Sequence, residues 1–384
     1  MSQPTIRMAT DADRAALARI WDYCFGDGET FERWYFSTYY RQEECLLAEV
    51  EGEVAASLQV IDLPTRVGGE VVRAGYIVGV DCLPEYRGRG LTRRLMAAAL
   101  EDYAPRHGLA LMHLMPFEAD FYESYGFVYG DFHFDMDLDI LEFYRPEDRA
   151  AARSHRFECL TPEALGKHLS ELEALYARAT ARYDAAVCRS GLRRWQALAD
   201  DLAMDGGHLI LLRADDGEAT GLLAYKLREN AFFVREALHA TPQARQALYY
   251  FIASHRSQVG RVQWSAPEDE AVAFRRRKDK DGVRYRPFMM HRILDARILP
   301  LFASSLPEED LCFAVNDGMG AWRWPAGSRK LQALETPTED VLDAANLTRL
   351  VFDRSHDLPD EDPVLCKLAA LFTKKATFFN NEYF

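Results

Sequence analysis

Apolar residues recur at helical spacing over residues 12–25, at Ala16, Leu17, Ile20 and Cys24, and predict an amphipathic helix. Residues 45–50 and 54–63 read as two strands paired around a Glu51-Gly52 turn. Residues 66–80 read as a second pair turning at Gly68-Gly69. Residues 91–103 are helical, with Leu91, Leu95, Ala99 and Tyr103 on one face. Residues 109–115 form a short apolar run suited to a buried strand. Phe132, Phe134, Met136 and Leu138 then alternate with His133, Asp135 and Asp137, which is the period of a half-buried strand.

A polar, proline-bearing stretch at Arg145-Pro146-Glu147-Asp148 marks a boundary. Beyond it come helices over 162–182 and 191–201, with Thr161 as N-cap before Pro162. Strands over 208–213, 221–226 and 231–238 and a helix over 243–258 follow. This order partly repeats the first block without a literal sequence repeat. A last block carries a hairpin-like stretch over 314–319, a helical run over 363–373, and the aromatic end Phe379-Asn380-Asn381-Glu382-Tyr383-Phe384. Chain ends usually fray, so an aromatic end suggests a tucked one. Three domains are expected, at 1–145, 146–286 and 287–384, in an α/β fold of mixed sheets.

Composition narrows the class. The 384 residues are 48% hydrophobic, enough for several packed cores. No apolar run reaches the ~18–20 residues that span a bilayer, and the first residues lack a signal-peptide pattern. The expectation is a cytoplasmic protein with no membrane partner. Seven cysteines without a CxxC pair argue against a disulfide framework or a structural zinc, and no metal is expected. A net charge of −14 argues against nucleic acid and favours cationic small molecules or peptides. The basic run Arg275-Arg276-Arg277-Lys278, followed by Asp279, Lys280 and Asp281, reads as a solvated loop.

The chemistry concentrates between Tyr76 and Tyr103. A Val-rich strand through Val78, Gly79 and Val80 ends at Pro84; Arg87, Gly88, Arg89 and Gly90 turn the chain; a helix starts at Leu91-Thr92. First-turn amides without internal partners, glycines that admit a ligand to the backbone, and arginine charge together make an anion cradle for a pyrophosphate. It is not a P-loop, because no Gly-Lys-Ser/Thr follows.

The pattern Arg87-x-x-Gly90-x-Thr92 behind a Val-x-Val strand resembles the acetyl-CoA motif of the GNAT N-acetyltransferase superfamily, with Thr92 where the family has Gly or Ala. Phe121-Tyr122-Glu-Ser-Tyr125-Gly126-Phe127 resembles that superfamily's FYxxxGF element, whose tyrosine protonates the leaving thiolate. Tyr122 is the match and Tyr125 the competing candidate. A phenol of pKa ~10 can donate to a thiolate whose acid has pKa ~8.5 at modest cost.

Over its full length the chain resembles the Eis (enhanced intracellular survival) type: a GNAT domain, a second GNAT-like domain without the loop, and a sterol-carrier-protein-like domain. That resemblance implies an acetyl-CoA-dependent N-acetyltransferase and a homo-oligomer, often a hexamer in the family, acting on aminoglycoside-like or polyamine amines or lysine side chains. It also implies direct transfer in a ternary complex, with a backbone N–H near Val80 at the oxyanion and the pantetheine arm along Val78, Gly79 and Val80. The C-terminal carboxylate of Phe384 would act as base or amine anchor. An α-carboxyl at ~3.3–3.7 is a poor acceptor from an ammonium at ~10.4, which favours the anchor.

Phe25, Asp27 and Trp34 match the family's substrate segment, and Glu382 joins them. A carboxylate with aromatics suits a cationic amine, and equally an ordinary cap with core rings. His113 and His133 read as core or surface histidines. Two readings of other kinds stand beside the enzyme: a non-catalytic acyl-CoA sensor and a hydrophobic-ligand carrier. A longer acyl group than acetyl is also open.

Overall fold

The computed structural model describes residues 3–275, 282–336, 338–353, 363–372 and 376–382. Most of the basic run, and Tyr383 and Phe384, lie outside the described residues. Among the described residues no helix is long and apolar enough to cross a membrane. The chain is α/β and forms two compact units, one of residues 1–131, 184–187 and 288–384, the other of residues 132–183 and 188–287.

The first unit contains strands β1 (Thr5–Met8), β2 (Cys45–Val50), β3 (Glu53–Asp62), β4 (Thr65–Val67), β5 (Glu70–Val72), β6 (Ala74–Cys82) and β7 (Leu111–Leu114). Its main sheet runs β1-β2-β3-β6-β7 and closes on the end of strand Val283–Ile293. Every neighbouring pair is antiparallel except β6 and β7. Helix α1 (Arg14–Phe25) follows the expected apolar face, burying Leu17, Ile20 and Trp21. Helix α2 (Glu29–Thr38) was not expected as a separate element; its aromatics Trp34, Tyr35 and Phe36 are buried. Helix α3 (Leu91–Ala97) continues through a π-helical turn to Arg106, with Leu91, Leu95, Ala99 and Tyr103 all buried.

The expected strand pair over 66–80 divides. Its Gly68-Gly69 turn joins β4 to β5, which sit in a small separate sheet with Ala185–Val187 and Phe378–Phe379. β6 instead joins the main sheet. Local alternation cannot choose between partners that are equally apolar.

The second unit repeats the plan. Its strands run His155–Leu160, His208–Ala214, Ala219–Arg228, Ala231–His239, Arg261–Pro267, then the later part of Val128–Asp139. Only Ala231–His239 and Arg261–Pro267 pair in parallel, as β6 and β7 do. The first sheet is therefore finished by a strand from far along the sequence, and the second by residues just before its own first strand. The alternation expected over 132–138 holds from Met136 onward, but His133 is buried.

The residues after 287 share one core with the first block. Val67, Tyr76 and Leu111 cluster with Met289, Phe313, Leu347, Phe352 and Phe378. The expected hairpin pairs Leu311–Val315 with Gly320–Trp324, and helices Ala344–Phe352 and Pro363–Ala369 follow.

Candidate active site

β7 pairs with β6 only from Ala74↔Leu111 to Ile77↔Leu114, and then ends. β6 continues through Val78, Gly79, Val80, Asp81 and Cys82, so the two parallel strands part beside those residues. Against β3 the register passes from Gln59↔Val78 to Ser57↔Asp81, which leaves Leu58 opposite both Gly79 and Val80. This is a β-bulge, and it turns the backbone of Val80 out of the regular ladder. Gly79 has φ +62, and a Cβ there would lie 2.5 Å from Cζ3 of Trp21. Only glycine satisfies both conditions.

The turn after β6 is open. Gly88 and Gly90 have φ +75 and +72, and a Cβ on either would meet nothing within 4 Å. Their positive φ curls the backbone around the start of α3, whose N-cap Gly90 supplies no side chain. By helix geometry the amides of Leu91 and Thr92 have no intrahelical acceptor. Arg87 Nε donates to the Cys82 carbonyl at 3.1 Å, and Arg89 donates to the Glu85 carbonyl at 3.0 Å while stacking on Tyr86. Both arginines are exposed and tied to the turn's own backbone.

The corresponding helix start in the second unit is built differently. There the equivalent strand reaches its helix through Ala240 and Thr241 alone. The Thr241 hydroxyl accepts from Ala244 N at 3.1 Å and Pro242 has no N–H, so that helix start is capped by its own chain.

Tyr122 lies on the short helix Ala119–Glu123, 8% exposed, between Phe121 and Phe127. Burial pushes its phenol up to about 12, so it is protonated at neutral pH. The chain turns at Gly126, φ +77, where a Cβ would lie 3.3 Å from Ala345 Cβ in helix Ala344–Phe352. Arg292 donates to the Tyr125 carbonyl and pairs with Asp317 at 2.8 Å. The tyrosine element is thus held by the C-terminal block. Tyr125 is half-buried.

Among the residues expected to bind an acceptor, Phe25 is 42% exposed at the end of α1 and packs at a tilt against Trp21. Asp27 accepts from Trp21 Nε1 at 3.1 Å. Trp34 is buried against Phe31 and Tyr39. Glu382 is buried and its N–H donates to Asn380 Oδ1. The tail is tucked as far as it is described: Phe378 packs on His113 and His291, and Asn380 reaches Met289. Trp21 thereby joins Phe25 and Asp27 to Gly79; the described contacts do not bring Trp34 or Glu382 to them.

His113 and His291 meet Nδ1 to Nδ1 at 2.8 Å. Thr65 donates its hydroxyl to the Leu63 carbonyl and so accepts from His113 Nε2, which makes His113 Nδ1 the acceptor and His291 Nδ1 the donor. His133 bonds to Ser265 Oγ at 3.0 Å. Sequence reasoning passed over Asp81, Ser57 and Trp21. A carboxylate inside a Val-rich strand was the available signal.

Comparison with known proteins agrees with this geometry. Residues 5–130 match one acetyltransferase (GNAT) domain model, and residues 186–298 match a second. The chain is 28% identical over 213 residues to an "Uncharacterized N-acetyltransferase" of Streptomyces griseus, a match covering 50% of this chain and 49% of that one. The chain thus spans about half the length of the curated relative it matches. A GCN5-related N-acetyltransferase structure from Anabaena variabilis superposes over 100% of both chains with TM-score 0.82 and 19% identity. Eis1 from Mycobacterium abscessus covers 99% of this chain and 100% of its own, with TM-score 0.74 and 17% identity. At such identities these two structures speak to the fold.

Proposed function

This chain belongs to the GNAT acyltransferases, and we propose that it moves an acetyl group from acetyl-CoA to an amine in a ternary complex, in the manner of the Eis type. The observation that carries the reading is the coincidence, in one unit, of the parted strands, the bulge at Gly79-Val80, the open glycine turn and a protonated tyrosine. The pyrophosphate sits on the turn of Arg87, Gly88, Arg89, Gly90, Leu91 and Thr92. The pantetheine arm adds as a strand along Val78, Gly79 and Val80, where β7 has ended. The Val80 N–H, freed by the bulge, serves the oxyanion.

Tyr122 is the general acid. It is protonated at neutral pH, and the shift to about 12 widens its gap to a thiol at ~8.5, so the proton moves only as charge builds on the buried sulfur. Phe25, Asp27, Trp34 and Glu382 are the side chains assigned to the acceptor in this reading. The acceptor is a cationic amine, aminoglycoside-like, polyamine or lysine. Phe384 anchors it through the terminal carboxylate; the burial of residues 378–382 in the same unit supports that role. We read three functional domains, at 1–145, 146–286 and 287–384, the last sterol-carrier-like, in a cytoplasmic homo-oligomer, with a hexamer as the candidate form.

The test is thiol release from acetyl-CoA with a panel of amines, comparing wild type, Tyr122→Phe and a chain lacking Tyr383 and Phe384. Release with wild type and a strong loss in both variants is the expected result. No release with any amine would favour a sensor or carrier, and unchanged turnover without Tyr383 and Phe384 would reject the anchor.

A further inference from the structure

Asp81 stands one residue beyond the bulge, 4% exposed, inside the first unit. The Ser57 N–H and hydroxyl donate to its Oδ1 at 2.7 and 2.9 Å, and the hydroxyl lies 3.0 Å from Oδ2. Among the described residues no cation pairs with it. The groups facing it are Cys24 of α1, Tyr35 of α2, Cys45 of β2 and its neighbour Cys82, all neutral at pH 7. A lone carboxyl in such surroundings is costly to keep as a purely structural group.

A cavity of about 20 Å³ lies beside it; Asp81, Ser57, Gln59, Tyr35 and Tyr40 reach it, as do Val78 and Gly79 of the proposed acyl-binding strand, and apolar side chains of α1 and α2 close the rest. That volume suits one water. Tyr35 donates to Gln59 Oε1 at 2.7 Å. Tyr40 is 9% exposed, and its hydroxyl has no hydrogen-bond partner among the described residues. A buried orphan hydroxyl and a buried carboxyl at one water-sized cavity supply the polar partners that a bridging water needs, although the lining is mostly apolar.

We propose that Asp81, positioned by Ser57, takes up through one water in this cavity the proton that the acceptor ammonium must lose before it attacks. The proposal rests on the acetyltransferase reading above. The step balances as follows. The ammonium gives one proton to the Asp81 carboxylate, leaving a neutral amine. Its lone pair forms the C–N bond, the C–S electron pair leaves on sulfur, and sulfur takes the Tyr122 proton. The second proton of the new amide nitrogen restores Tyr122, and Asp81 releases its own proton to bulk water. Because Asp81 acts through the water, it is a positioning residue.

Burial raises the Asp81 carboxyl to about 7, against the lowering effect of the Ser57 hydrogen bonds. Its gap to an ammonium at ~10.4 is then roughly half that of an ordinary carboxylate. The experiment is the pH profile of kcat/KM for thiol release, with acetyl-CoA and spermidine, then kanamycin, as probes. Wild type is expected to lose activity on the acid side with a midpoint near pH 7. Asp81→Asn, which keeps the shape, is expected to lose at least tenfold in kcat and the acid limb with it. Ser57→Ala is expected to move that limb to higher pH, because it removes hydrogen bonds that favour the carboxylate; it also serves if Asp81→Asn does not fold. An acid limb unchanged in Asp81→Asn, or unmoved in Ser57→Ala, overturns the proposal while leaving the transferase reading intact. A wild type inactive with every amine overturns both.

Discussion

Trp21 of α1 lies so close to Gly79 of β6 that a single added carbon would come within 2.5 Å of its ring. The same indole stacks on Tyr35 at 4.2 Å and donates to Asp27 at 3.1 Å. One side chain therefore ties the bulged strand to the segment expected to meet the acceptor.

Gly79→Ala should be damaging twice over, through the positive φ and through this contact. A residue forced into such a conformation costs about 1–3 kcal/mol before any clash. The melting temperature should fall, and thiol release should fall further. Trimming the ring with Trp21→Phe in the Gly79→Ala background should recover part of the melting temperature; additive losses would place the strain elsewhere.

Tyr122→Phe removes only a hydroxyl from a packed ring. The melting temperature should stay within a few degrees, while kcat drops about a hundredfold or more, as expected for a lost general acid. Tyr125→Phe should leave most of the rate. The reverse result would exchange their roles.

Arg189 and Glu236 form a bidentate pair at 2.7 and 2.8 Å in the second unit, almost fully buried, with the guanidinium against the Tyr176 and Trp195 rings. Glu236→Ala leaves a buried charge alone and should cost about 3–5 kcal/mol in urea unfolding. The double change Arg189→Met with Glu236→Leu should restore much of that. A small effect of the single change would show that the charge finds water.

Two kinds of buried group set opposite pH dependences. His113 and His133 are pushed from 6.5 down to about 3 by burial. Their contribution is whole above pH 6.5 and lost as pH falls toward 3, where the unfolded chain binds the extra protons. Asp81 is raised from 3.8 to about 7; its contribution is present below 3.8 and lost as pH rises through 7. The advantage of Asp81→Asn over wild type in melting temperature should therefore grow from pH 4 to pH 8. A constant difference would contradict the buried, unpaired carboxyl.

The local elements were readable where one face is apolar and the period is clear. Helix α1, β2, β3 and the hairpin at 314–319 fall where the pattern puts them. Tyr122 lies on a short helix and Gly88-Gly90 on an open turn before α3, local features that a few consecutive residues contain. Pairing over long separations was not readable. Strand Val283–Ile293 beside β7, and Ala185–Val187 beside β4, carry no local mark of their partners. Asp81 and Ser57 are 24 residues apart, and only the bulged register brings them together.

The small sheet of β5, β4, Ala185–Val187 and Phe378–Phe379 has a consequence for how the molecule comes into being. Asp184 and Thr377 are 193 residues apart and exchange hydrogen bonds at its edge. Such closures are entropically slow and come late in folding. A growing chain makes the Gly88-Gly90 turn and the Tyr122 helix early, yet cannot complete this small sheet until residue 379 has been synthesised.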